Sequence, residues 1–172
     1  RELLAETGSD LSAVSSETLP APQRDANAIY TDAKKSRTRE LFAGYRFNYD
    51  TLAAGQNPPY IPYAEYYQER DVDLDYTDAG GYDYENHFIF LQGRWRNEEE
   101  RLVHSRMTEG YEDYVAIKFY ATSVNAVMGP ATDMAYEVRL TLNGRPLNGD
   151  QVGADVTYDQ DGNSYVLVDS DR

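Results

Sequence analysis

Any chemistry in this chain must come from carboxylates, tyrosines and a few single side chains. Its 172 residues include 30 Asp and Glu, 16 Tyr, two His, one Trp and no Cys. Without cysteine there is no thiol nucleophile, no disulfide and no thiolate metal ligand. His87 and His104 alone do not make a His-rich zinc site. Asp71, Asp73, Asp75 and Asp78 occur in Asp-Val-Asp-Leu-Asp-Tyr-Thr-Asp. In an extended segment three of them share one face, a donor set that suits a hard cation such as calcium. Their spacing does not match the twelve-residue calcium loop, so a solvated acidic loop is expected. Asp159-Gln-Asp161-Gly-Asn163 matches the first half of such a loop, but a strand-like Ser-Tyr-Val-Leu-Val follows at once and the closing Glu is missing. A β-turn through Asp161-Gly162 is the better account. His104 adjoins Ser105, yet neighbours on a strand point to opposite faces. Two carboxylates for glycoside hydrolysis could be drawn from 30 acids at will and carry no information. There is no phosphate-binding glycine loop. The expectation is a non-enzymatic chain with no catalytic set, metal or cofactor.

Tyrosine is the compositional outlier. Tyr60, Tyr63, Tyr66, Tyr67, Tyr76, Tyr82 and Tyr84 crowd one segment among prolines and acids. Rigid backbone with tyrosine anchors describes a protein-docking surface, and it equally describes an aromatic groove for a glycan. The plainer alternatives are an acidic loop covering a sheet, or rings placed on strands, where aromatics are favoured. Trp95 could stack on a sugar ring. Its place directly after an apolar strand points instead to packing, with the indole N–H bonded to backbone. The net charge of -14 and pI near 4.4 argue against nucleic acid and anionic membranes. They favour a basic protein partner whose attachment weakens with salt. No apolar run approaches the roughly 20 residues of a membrane span.

The elements that must position these groups follow from the punctuation of the chain. Residues 1–8 read as the end of a helix closing at Gly8. Residues 9–37 read as an extended arm, since Pro20 and Pro22 forbid a continuous helix. The chain starts at Arg1, so it is expected to be a processed or excised piece. From Thr38 the composition changes, and Glu40-Leu-Phe-Ala-Gly-Tyr-Arg-Phe-Asn-Tyr49 is β-prone. A long irregular Tyr/Asp/Pro-rich insertion is expected at about 50–86, a length that is usually functional or disordered. From His87 on, strands are predicted at Phe88-Ile-Phe-Leu91 into Trp95, at 114–121, at 124–128, at 136–142 and at 165–168. A solvated turn is expected at 97–106, with hairpin turns at Asn143-Gly144 and Asp161-Gly162. The pattern is all-β, an antiparallel β-sandwich of jelly-roll type over 38–172.

Several of these segments together resemble a known family. They are Thr38-Arg-Glu-Leu-Phe-Ala-Gly-Tyr-Arg46, Leu91-Gln-Gly-Arg-Trp95, Ile117-Lys-Phe-Tyr-Ala-Thr-Ser-Val-Asn-Ala-Val-Met128, Leu142-Asn-Gly-Arg-Pro146, and Gly153-Ala-Asp-Val with Asp161-Gly162. In order and spacing they are similar to the β-sandwich domain that follows the thioredoxin-like domain in DipZ-type and related bacterial redoxin proteins. Glu2-Leu-Leu-Ala-Glu-Thr-Gly8 resembles the tail of the final thioredoxin helix. The Cys-x-x-Cys of the family is absent, so no redox activity carries over. The segment 50–86 is longer and richer in Tyr and Asp than the family pattern, and similar domains continue with further strands beyond Arg172. The resemblance implies a fold like that of carbohydrate-binding modules and a periplasmic or cell-envelope location. Three functions are therefore open. The first is a non-catalytic accessory subunit, itself not spanning the membrane, that docks onto a larger assembly through its arm and tyrosine segment. The second is a carbohydrate-binding module using Trp95, Tyr45 and Arg46. The third is the C-terminal part of a thiol-disulfide oxidoreductase whose redox half lies elsewhere.

Overall fold

A computed structural model describes residues 37–55, 58–81, 84–130 and 134–170. The helix end expected at 1–8, the arm up to residue 36 and Tyr82 lie outside the described residues. The architecture is all-β. The described residues form two small antiparallel sheets preceded by a helix, α1 (Tyr45–Ala54).

The first sheet is organised on one long strand. It contains β1 (Asp73–Tyr76), β2 (Ile89–Asn97), β3 (Leu102–His104) and β4 (Tyr114–Ile117). On one edge of β2, β1 pairs Asp73 with Arg96 and Tyr76 with Gly93. Along the other, β3 pairs with residues 95–97 and β4 with residues 89–92. β3 and β4 thus lie end to end on β2, and residues 105–113 leave the sheet between them. The apolar run Ile89, Phe90 and Leu91 is buried, as expected for a strand covered on both faces. The main core gathers Ile61, Tyr63, Tyr66, Tyr76, Ile89 and Leu91, with Leu74, Trp95 and Ile117 packed against it.

The second sheet has strand order β6-β5-β8-β7, with β5 (Tyr136–Leu142), β6 (Arg145–Pro146), β7 (Thr157–Tyr158) and β8 (Ser164–Val168). The predicted alternation on β5 holds, with Val138, Leu140 and Leu142 half-buried and Glu137, Arg139 and Thr141 exposed. Asn143 and Gly144 both take positive φ, 53° and 73°, as a two-residue hairpin turn requires. At the second hairpin Asp159 holds the turn through Oδ1, which accepts from the amides of Asp161 and Asn163.

Four local expectations are corrected. The β-prone segment 40–49 runs into helix α1. Its first amides, on Tyr45 and Arg46, donate to the carbonyls of Glu98 and Glu99 at 2.9 Å each, and Gly55 closes it in the left-handed conformation. Tertiary partners here outweigh aromatic strand propensity. The stretch 50–86 is not irregular throughout, since it carries the end of α1, a 3-10 turn at Ala64–Tyr67 and β1. The charged 97–106 segment contains β3. The predicted strand at 124–128 is absent; Val127 there is 95% exposed.

Candidate functional site

A concentrated polar cluster lies where Gly93 interrupts β2. Gly93 has φ 94°, and a Cβ built there would fall inside the Asp113 carboxylate. The missing side chain is therefore the notch that admits Asp113, whose own side chain is only 2% exposed. Four donors fill its oxygens. Arg106 donates from Nε at 2.6 Å and from a second guanidinium nitrogen, and the Arg94 amide donates at 3.3 Å. His104 places Nε2 at 2.8 Å and lays its ring 5.0 Å from that of Trp95. The Arg106 guanidinium beside Asp113, helped by His104, holds its carboxyl well below the usual carboxylate range. A carboxylate so low and so fully bonded is a poor proton acceptor at neutral pH. It is an anchor that fixes both ends of the 105–113 excursion.

Trp95 donates its indole N–H to the Gln92 carbonyl at 2.9 Å and packs on the core. Tyr45 is half-buried, stacked between Tyr49 and Tyr66 at 5.6 and 6.0 Å. Arg46 is exposed and faces Glu100 at 3.5 Å.

The tyrosine segment faces largely inward. Tyr63, Tyr66 and Tyr76 are buried, and Tyr60, Tyr67 and Tyr84 are half-buried. The Tyr63 hydroxyl donates to the Leu91 carbonyl and accepts from the Leu91 amide, both at 3.0 Å. One phenol thereby completes the backbone bonding of a strand residue. Tyr66 donates to the Ala43 carbonyl and Tyr67 to the Ile61 carbonyl, each at 2.7 Å. Burial pushes the hydroxyls of Tyr66, Tyr67 and Tyr76 far above their ordinary range. Tyr84 donates to Asp78, which also accepts from Tyr114 at 2.9 Å. Tyr60 carries the Arg39 guanidinium 4.1 Å above its ring.

The acidic run is neutralised across the strand pair. Asp73 meets Arg96 and Asp75 meets Arg94, each at 2.7 Å, so these carboxylates serve cross-strand pairing. Among the described residues no group of His, Cys, Asp or Glu could hold a metal ion, and no helix is long and apolar enough to cross a membrane.

Sequence reasoning missed Asp113, Arg106, Asn48 and Asn97. Asn48 is fully buried on α1. It donates to the Phe42 and Gly44 carbonyls and accepts from the amides of Tyr60 and Ile61. Asn97, also fully buried, donates to the carbonyls of Tyr66 and Glu69. The one legible signal was Gly93 inside an apolar strand, which marks a close approach.

A family model described as the thioredoxin-like C-terminal domain matches residues 63–171. No curated protein and no solved structure matches the chain. The match opens at Tyr63, whereas α1 and its anchor Asn48 lie ahead of it and close the same core.

Proposed function

Because the chain belongs to the thioredoxin-like C-terminal domain family, we propose that it is the non-catalytic C-terminal module of a thioredoxin-like protein. One observation carries this reading: the family match falls on a chain with no cysteine at any position. Thiol–disulfide exchange needs a thiolate, so this chain has no means to perform it. The module's contribution is then to hold or present a thioredoxin-like domain. Placement beside a DipZ-type domain, in a bacterial periplasm or envelope, belongs to the same proposal.

Docking onto a larger assembly is the second part of the reading. Among the described residues of the tyrosine set, Tyr60, Tyr67 and Tyr84 keep partial exposure and are able to touch a partner. Tyr63 and Tyr66 act from inside by bonding the backbone, and Tyr76 packs in the core. The carbohydrate-binding alternative has less support, because the Trp95 indole N–H is bonded to backbone and its ring packs on the core.

The test is isolation of the native protein after chemical crosslinking, followed by mass spectrometry. Recovery of a Cys-x-x-Cys thioredoxin-like domain, continuous with this sequence or in stoichiometric complex with it, is the expected result. A monomer with no such domain that binds glycans on an array overturns the proposal in favour of carbohydrate recognition.

A further inference from the structure

Residues 105–113 leave the first sheet between β3 and β4 and reach toward the second. Their base is fixed by Asp113, seated in the Gly93 notch under Arg106, His104 and the Arg94 amide. Two residues before that anchor, Tyr111 meets β5. Its hydroxyl donates to the Glu137 carboxylate, and the Arg139 guanidinium lies 4.3 Å from its ring centroid. Glu137 and Arg139 are two apart on one strand, so they share a face, and the ring sits against both. A phenol ring offers the cation its π-face and the carboxylate its O–H donor. One ring thereby engages both an acidic and a basic side chain of β5.

We propose that residues 105–113 form a strap that couples the second sheet to the first, with Asp113 as its fixed end and Tyr111 as its clasp on β5. The energetic logic is separation of duties. A buried, four-donor carboxylate is hard to release, whereas a 44% exposed tyrosine bonded to exposed charges opens at small cost. Opening at Tyr111 frees β5 without disturbing β2. The strap is thus the place where a charge change on Tyr111, or a partner competing for Glu137 and Arg139, would loosen one sheet alone.

Native-state hydrogen exchange read by mass spectrometry on the full chain tests this. In Tyr111→Ala, amides of β5 and β8 are expected to exchange several-fold faster than in the parent chain, while amides of β2 keep their rates. Tyr111→Phe keeps the ring under Arg139 and loses the hydroxyl, so a smaller acceleration confined to the same strands is expected. Glu137→Gln should resemble Tyr111→Phe. Unchanged exchange in β5 and β8, or equal acceleration in β2, overturns the proposal.

Discussion

Leu91 and Leu140 both sit on strands, yet one is fully buried and the other half-exposed. That contrast runs through the two sheets. Around β2, side chains do what neighbouring strands would otherwise do. Tyr63 completes Leu91, and Asn97 holds the 66–72 crossing through the carbonyls of Tyr66 and Glu69 and the Val72 amide. Asn48 fixes the chain at 60–61. The second sheet combines the β5–β8 pairing with turn chemistry and one bridging serine. Asn148 and Gln151 form a capping box, Asp159 bonds Asn163, and Ser164 bridges the Leu140 carbonyl to the Leu147 amide. The first region also carries the ion pairs Asp73–Arg96, Asp75–Arg94 and Asp113–Arg106. The first region draws most on long-range burial, whereas the second buries only Ser164, Val166 and Val168 on β8 and adds local turn chemistry. Truncation on the half-buried β5 should therefore cost less than truncation on the buried run of β2.

The sharpest way to break this comparison is truncation at matched leucines. Leu91→Ala should destabilise by about 2–5 kcal/mol, the range for a fully buried leucine. Leu140→Ala should cost less than about half of that, since less area leaves water on folding. Denaturant midpoints at constant slope measure both. Equal costs would show that the half-buried face of β5 is packed as tightly as β2.

Glycine gives the next contrast. Gly93 and Gly144 both have positive φ, 94° and 73°, so alanine is strained at each. Only at Gly93 does the new Cβ meet an obstacle, the Asp113 carboxylate, whereas around Gly144 there is open space. Gly144→Ala should cost about 1 kcal/mol from backbone strain. Gly93→Ala should cost about 2–4 kcal/mol, strain and overpacking together, and should free residues 105–113 to proteolysis.

Tyr63→Phe then isolates one hydroxyl. It leaves the Leu91 amide and carbonyl unpaired in the core, at a cost of about 1–3 kcal/mol. Tyr136→Phe removes an exposed bond to the Gly129 carbonyl at 3.3 Å and should change stability by less than about 0.5 kcal/mol.

The strands legible in the sequence were those with clean alternation and unambiguous turns, notably β5, β8 and the Asn-Gly hairpin. Each of these is decided by neighbours in sequence. The helix at Tyr45–Ala54 was not legible, because its first amides are satisfied by Glu98 and Glu99, some fifty positions on. The tyrosine segment showed its richness but not its direction, since a ring that anchors a partner and a ring that caps a strand residue have the same composition. Asp113 stood unremarked among 30 acids. Its importance comes from a glycine twenty residues earlier and from Arg106, and no local pattern joins the three.

Acid titration is the mildest probe and separates the two kinds of carboxylate. Asp113 is lowered first by Arg106, and Asp159 first by the Asn163 side chain. Both folded pKa values lie below the unfolded value of about 3.9. Their stabilisation is therefore complete above that value and is lost as pH falls through the folded pKa. The Asp113 side chain is nearly covered while its partners Arg106 and His104 are partly exposed, so solvent screens its contribution less than that of an open carboxylate. Asp159 is exposed, and solvent discounts what its bonds contribute. Denaturant midpoints taken between about pH 6 and pH 3 should fall in the parent chain and in Asp159→Asn alike. In Asp113→Asn the midpoint should start lower and fall less, because the titrating anchor is already gone. If Asp159→Asn flattened the profile as much as Asp113→Asn, the local turn would be contributing as much as the buried anchor, and the division between the two sheets would fail at its most direct electrostatic test.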